Sequence, residues 1–343
     1  HGGHPVPNQA SLDAGKKAME LANEAGKGDL VLCPITGGAS ALLTAPSSPI
    51  SLKELQTVNQ LLLNAGLSVD EINTVRKHIS DLKGGRLAQA ITPAQTVNLL
   101  IIDEVAGKPW GPTVPDGTSF RQAEKILRRH DLWESVPKSV KSLIRAGTSS
   151  PEMETPNRES LEALPIHNVI LADNSQMCEA VVERSNQIGT PGHIISTKAE
   201  GESKEVGLAF GSIGTEIAEN RRPFDPPCVL VMGGETTVHV TAEGGKGGPS
   251  QEFALSAARK ISEINDIAIG SLDTDGTDGP TDLAGAVVDG ETLNRVEEKG
   301  FDIPTTLNKN DSSPLLETLG DAFITGPTGT NVMDLNILYV GPR

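Results

Sequence analysis

Cysteine is scarce in this chain. Only Cys33, Cys178 and Cys228 occur in 343 residues, scattered and without a CxxC pair. That usage excludes a zinc framework and a disulfide scaffold, and it fits a reducing, cytoplasmic compartment. No apolar run approaches the roughly 18 residues of a membrane span, and no signal-peptide pattern is visible. Positive charge is also short: 29 Lys and Arg stand against 45 Asp and Glu, a formal net charge of −16. A nucleic-acid binder needs a basic surface to neutralise phosphates, and an anionic membrane attracts basic segments, so neither partner is expected. Aromatic residues make up only 3% of the chain, and no internal repeat recurs at a fixed period. The charged share of 22% is ordinary, which excludes a wholly disordered chain.

What is present is glycine, 36 residues of it, placed in short clusters at the ends of apolar runs. Strand–loop–helix units with backbone-lined sites have that pattern. The length suits two α/β domains. Apolar runs predict buried strands at 29–35, 96–103, 169–172, 228–232, 267–272 and 335–340, and a strand pair at 236–241. Helical spacing predicts helices over 11–26, 51–66, 69–90 (broken at Gly84-Gly85), 120–130, 203–220 and 251–263, with a polar loop at 145–160. Strands alternating with helices imply mostly parallel sheets flanked by helices. Arg221–Pro227, with three prolines, is the best linker and predicts domains over 1–222 and 223–343.

Five stretches carry candidate chemistry. Gly37, Gly38 and Ser40 turn the chain after the first strand, where free N–H groups suit an anion. Asn73, Arg76, Lys77, His78, Lys83 and Arg86 place four cations and a histidine within a short basic run of a strongly acidic chain. Asn73, Arg76 and Lys77 share a helix face, which suits a carboxylate or phosphate. The Gly84-Gly85 break, with no evident packing reason, favours function over a solvated face, whereas His78 reads as structural. Gly234, Glu235 and Thr236 end a strand, and Lys246 follows among glycines like a cation in a phosphate cradle. Asp275, Asp278 and Asp282 supply hard oxygen ligands of the kind Mg²⁺ takes beside a nucleotide. Gly329, Thr330 and Asn331 form another Gly/Thr loop. Neither a P-loop nor a GxGxxG fingerprint occurs. Anion cradles, a basic cluster and an acidic cluster together make the inventory of phosphoryl transfer.

The chain resembles the glycerate 2-kinase family, with its N-terminal kinase domain and C-terminal MOFRL domain. The resemblance rests on His4-Pro-Val-Pro7, Ile35–Leu43, Glu71–His78, Lys83-Gly-Gly-Arg86, Gly111–Asp116, Gly233–Thr237, Gln251-Glu252, Thr277–Asp282 and Gly326–Asn331, in order from end to end. It implies two α/β domains with the active site in the interdomain cleft. It also implies ATP- and Mg²⁺-dependent phosphorylation of D-glycerate at its 2-hydroxyl, with a homodimer as one assembly option. On this reading Lys246, Arg76 and Lys83 are catalytic, and Gly37, Gly38, Ser40, Asn73, Lys77 and Arg86 bind substrate. Gly234, Glu235, Thr236, Gly329, Thr330 and Asn331 bind nucleotide, and Asp275, Asp278 and Asp282 hold Mg²⁺. Three departures stand out. The chain opens on His1, in mid-motif, and reads as an N-terminally truncated member lacking the family's Gly-Lys-Ala lysine. The family's Gly-Arg-Gly-Gly-Arg-Asn-Gln-Glu loop reads Gly245-Lys-Gly-Gly-Pro-Ser-Gln-Glu252 here. The loop before Gly111 is shorter and lacks the usual Ala-Ser. These departures favour an alternative, a non-catalytic binder of small phosphorylated hydroxy acids or an inactive paralogue. The absent dinucleotide fingerprint argues against a hydroxypyruvate reductase.

Overall fold

A computed structural model describes residues 2–105, 110–240 and 244–342 of the chain. In order, the elements begin with α1 (Gln9–Glu24), β1 (Leu30–Ile35), α2 (Ala39–Leu42), α3 (Leu52–Asn64), α4 (Val69–His78), α5 (Arg86–Ile91), β2 (Gln95–Ile101), α6 (Phe120–Arg129), α7 (Lys138–Ser149), α8 (Arg158–Glu162) and β3 (Ile166–Ala172). There follow α9 (Asn174–Gln187), β4 (Gly192–Ala199), α10 (Ser203–Asn220), β5 (Cys228–Gly234), α11 (Pro249–Ile261), β6 (Ile267–Asp273), β7 (Gly285–Asp289), α12 (Thr292–Glu298), α13 (Ile303–Asn308), α14 (Ser312–Leu319), β8 (Ala322–Phe323) and β9 (Asp334–Val340). Reciprocal capping boxes start α1, α3 and α4, where Asn8, Ser51 and Ser68 pair with Ser11, Glu54 and Glu71. The polar stretch 145–160 is not all loop: α7 runs to Ser149 because Gly147 sits under the Phe120 ring, where a Cβ would collide. The strand pair expected at 236–241 appears, among the described residues, only as one bridge between Glu202 and Thr237.

The chain divides into two units, residues 1–100 with 109–171, and residues 101–108 with 172–343. The division departs from the expected break at 222/223. β4 pairs in parallel with β5, and α10 packs on α11, so the Pro-rich Arg221–Pro227 segment is a loop inside the second unit.

In the first unit β1, β2 and β3 form one sheet in that order, with β1 parallel to β2 and Leu30 opposite Gln95. Val31 and Cys33 face inward toward Ala22 of α1 and Leu87 and Ile91 of α5. A second cluster, with Val58, Val75, Phe120 and Ile144, joins α3, α4, α6 and α7. The other face of the sheet leaves Leu30, Leu32, Val169 and Leu171 between 42% and 57% exposed. The basic run lies on α4, on the start of α5 and on the turn between them.

In the second unit the sheet order is β4-β5-β9-β6-β7-β8. The fold is α/β, but only β4–β5 is parallel in this sheet; the β5–β9, β9–β6, β6–β7 and β7–β8 ladders are antiparallel. Alternation of elements does not encode strand direction, and a short connection such as 274–284 lets β7 fold straight back on β6. Since β5 and β6 both run against β9, their C-terminal ends lie at the edge where β9 begins. Helices α10 and α11 cover one face, and α9 packs on the other against Val229, Val231 and Leu335.

Close approach of α10 to α11 depends on Gly207 and Gly211. A Cβ at Gly207 would meet the Phe253 carbonyl oxygen, and one at Gly211 would lie 2.8 Å from the Ala257 carbonyl oxygen. Alanine is the better helix former by about 1 kcal/mol, but overpacking a core costs about 1–3 kcal/mol, and here the obstacle is backbone. Gly207→Ala should therefore lower the Tm by roughly 2–6 °C in thermal unfolding. An unchanged or higher Tm would mean that the helices separate freely.

Candidate active site

The basic run of the first unit folds into a cluster. Arg76 Nε donates to Asn59 Oδ1, and Asn59 is itself tied to the Leu55 carbonyl. Arg76 Nη2 is buried without a partner, and so is Arg86 Nε, while Arg86 Nη2 donates to the Met153 carbonyl at 2.8 Å. Lys83 Nζ reaches the carbonyl and, at 3.0 Å, the hydroxyl of Ser40. Burial first, and the Arg76 charge second, hold the Lys83 ammonium down at about 7. Among the described residues no carboxylate lies within ion-pair distance of Arg76, Lys83 or Arg86. Lys77 differs: it pairs at 3.2 Å with Asp116, a buried carboxylate that also accepts from Thr118 and Thr155. Burial raises the Asp116 carboxyl, but Lys77 and the Thr118 hydrogen bonds outweigh it and hold it below the usual range.

Three details revise or complete the sequence reading. Gly84 and Gly85 do have a packing reason. Both have positive φ (62° and 86°), and Cβ atoms there would press on Thr155 and Leu161. The Gly37–Ser40 turn is followed only by the single-turn α2, whose dipole is small, so Ser40 and its bond to Lys83 are its main polar features. His78 is structural: buried, it faces the Thr74 carbonyl at 2.7 Å and the Glu154 carboxylate at 3.1 Å. Asn73 is half-buried on the same helix.

In the second unit the loops after β5 and β6 and the loop before β9 meet at one sheet edge, the edge where α/β proteins bind ligands. Thr328 donates to the Thr274 carbonyl and Val332 to the Thr274 hydroxyl, which zips the loops together. Thr330 and Gly329 (φ 82°) form an exposed tip, and Asn331 accepts from the Met333 N–H. Glu235 is exposed on the strand-end loop beside Gly234. Thr236 is buried, and both its N–H and its hydroxyl serve Asp334 Oδ2, so it positions a carboxylate and is not free for a nucleotide. Lys246 is exposed, on a loop whose glycines are required by contact: Gly247 abuts Ser312, and Gly248 abuts Asp278.

The acidic cluster is arranged differently from the expected trio. Among the described residues no group of three or more His, Cys, Asp or Glu is placed to hold a metal. Both Asp278 oxygens accept from the start of α11, from Ser250 N–H, Gln251 N–H and the Gln251 side chain. Asp282 is exposed on its own. Asp273 and Asp334, outside the trio, face each other across the β6–β9 ladder. Burial is the main cause that pushes Asp273 up to about 7 and Asp334 to about 8, and neighbouring carboxylates add to it. No sequence signal marks this pair, because cross-strand register joins residues far apart in the chain. For a hydrated divalent cation, which takes one or two carboxylates, Asp273 and Asp275 fit best. Asp275 N–H donates to Asp273 Oδ1 at 3.2 Å, and both carboxylates accept only within their own loop.

Residues 1–145 match the family described as Domain of unknown function (DUF4147), and residues 228–334 match the MOFRL family. A glycerate 2-kinase of Pyrococcus horikoshii is 46% identical over 98% of this chain and 77% of its own length. A D-glycerate 2-kinase of Thermotoga maritima is 38% identical over 98% of this chain and 78% of its own length. The crystal structure of a glycerate kinase from Thermotoga maritima superposes with a TM-score of 0.90 at 37% identity, covering 99% of this chain and 80% of that one.

The raised carboxyls link stability to pH. The folded chain keeps protons on Asp273 and Asp334 that an unfolded chain loses near pH 4, so this contribution is largest at low pH and falls as pH climbs toward 8. Asp273→Asn mimics the protonated acid. It should match the parent Tm near pH 3, below both the folded and the unfolded ionisation, and exceed it progressively as pH rises, by about 4 °C or more at pH 8.5 in metal-free buffer. A deficit at both pH values would show that the carboxylate is required for packing.

Proposed function

The chain belongs to the glycerate kinase family, and on that premise we propose that it transfers the terminal phosphoryl group of ATP to the 2-hydroxyl of D-glycerate, assisted by Mg²⁺. One observation carries the substrate side: Lys83 lies within reach of the Arg76 charge, Arg76 Nη2 and Arg86 Nε are buried without a partner, and among the described residues none of the three cations makes an ion pair with a carboxylate. A small hydroxy acid supplies the missing anion, and the Ser40 turn with Asn73 borders it. Lys77 acts through Asp116, which anchors it and shapes the pocket wall.

On the nucleotide side, the reading assigns Gly234, Glu235 and the Gly329–Asn331 tip to the triphosphate and its nucleoside. Asp273 and Asp275 would hold the divalent cation, which when bound offsets phosphate charge. Asp278 fixes the start of α11 and the Gly247-Gly248 backbone, and Thr236 fixes Asp334. The free Lys246 ammonium is the cation left to follow the phosphoryl group. A loose transition state spreads charge over the transferred oxygens, so placed positive charge contributes more than base strength. Among the described residues no helix is long and apolar enough to cross a membrane. A cytoplasmic site of action fits the free thiols.

The test is an ADP-release assay with D-glycerate, ATP and Mg²⁺, with the product identified by NMR. The expected product is 2-phosphoglycerate; a 3-phosphorylated product or no turnover would overturn the reading. Lys246→Ala should lower kcat by about 10²-fold if the ammonium stabilises the transferring group, and an unchanged kcat would remove that role.

A further inference from the structure

We propose that Asn59 is a positioning residue for the substrate anion: its neutral side chain pins the Arg76 guanidinium without cancelling the charge, and so reserves that charge for the ligand. The inference rests on the substrate side of the function proposed above and concerns how one of its cations is held.

The place of Asn59 in α3 is the first observation. Leu55, Val58, Asn59 and Leu62 are the buried residues of that helix, at i, i+3, i+4 and i+7. Such a stripe faces a core, and here Leu55, Val58 and Leu62 join Ile72 and Val75 of α4 in one cluster. An amide in that stripe, only 3% exposed, costs free energy unless its polar atoms find partners. Both do. Nδ2 donates to the Leu55 carbonyl one turn back at 3.0 Å, and Oδ1 accepts from Arg76 Nε. Among the described residues, Arg76 is the amide's partner outside its own helix.

What the amide leaves undone is the second. A guanidinium carries five N–H donors. Nε serves Asn59, while Nη2 stays buried with no partner among the described residues. The next cation on α4 is treated in the opposite way: Lys77 pairs with the buried Asp116 carboxylate, so its charge is answered within the fold. Glu54 of α3 and Glu71 of α4 are engaged elsewhere, Glu54 by Ser51 and Ser139, Glu71 by Ser68, Arg129 and His130. Arg76 thus has a fixed Nε and an uncancelled charge, which suits capture of a carboxylate by a charge-assisted hydrogen bond. A carboxylate at position 59 would hold the guanidinium equally well and would cancel its charge. Asparagine and aspartate differ there in charge and not in shape, so the amide serves a ligand rather than the packing.

The experiment compares Asn59→Asp and Asn59→Leu with the parent, by thermal unfolding, calorimetry with D-glycerate and steady-state kinetics. Ligand-free Asn59→Asp should keep the parent Tm or exceed it, because the new carboxylate meets a cation. Its Kd for D-glycerate should nevertheless rise about tenfold or more, and the loss should fall on the KM for D-glycerate more than on kcat, with the KM for ATP near the parent value. A merely structural role would tie any loss of affinity to a loss of Tm. Asn59→Leu removes the acceptor but adds no charge, so its Kd should rise by less, about threefold. A folded Asn59→Asp protein with the parent Kd overturns the inference, and so does a larger loss in Asn59→Leu than in Asn59→Asp. Should Asn59→Asp not fold, an unchanged Kd in Asn59→Leu overturns it. In each of these cases a parent that phosphorylates D-glycerate leaves the proposed function intact. If the parent neither binds nor phosphorylates D-glycerate, inorganic phosphate is the second probe. Weaker phosphate binding in Asn59→Asp keeps the reserved charge and removes glycerate as its ligand; phosphate binding that the substitution leaves in place, or none in the parent, removes both.

Discussion

Charge of one sign, gathered where water is scarce, is the constraint on which the rest of this structure turns. In the first unit Arg76, Lys83 and Arg86 make no ion pair with a carboxylate among the described residues, although the charges of Asp81, Glu154 and Asp116 reach Arg86. The second sets Asp273 opposite Asp334 in adjacent strands. Withdrawing like charges from water is costly, and a protein tolerates it where the fold enforces it or a ligand relieves it. Each cluster lowers the cost in its own way. Lys83 sheds charge, and the aspartates retain protons. In the proposed reaction an anionic hydroxy acid would answer the first cluster, and a divalent cation on phosphates the second.

The frames around these clusters are stiff for physical reasons. Asp278 spends both oxygens on the first turn of α11, and that helix is buried along most of its length. Gln251 is satisfied on every side, by Asp278, Thr281, Ser312 and Ser313. The glycines of the Lys246 loop are demanded by Asp311, Ser312 and Asp278 pressing on their backbone. These contacts hold the backbone of the described part of the loop, residues 245–248, while the Lys246 side chain is exposed. Preorganised polar groups of this kind need no rearrangement at the moment of reaction.

Much of the local structure was legible because its causes are local. Ser51 with Glu54, and Ser68 with Glu71, mark helix starts through contacts three residues apart. Buried runs such as Cys228–Met232 and Ile267–Leu272 are strands because nothing else buries so short an apolar segment between glycine turns. The basic run was legible as a cluster of cations by residue type alone. The Gly84-Gly85 break was misread, since its reason is Thr155 and Leu161, some seventy residues away. The Pro-rich 221–227 segment looked like a domain linker, yet strand pairing and helix packing across it make it an internal loop.

By itself the sequence determined the α/β class, the main helices and strands, and the chemical character of each loop, because propensity, capping and apolar period act within a few residues. Tertiary structure alone decided which charges lack partners. Register across β6 and β9 pairs Asp273 with Asp334, and Thr236 is consumed in holding that carboxylate. Among the described residues the partners of Lys83 Nζ are the carbonyl and the hydroxyl of Ser40, a residue more than forty positions earlier that the fold brings beside it.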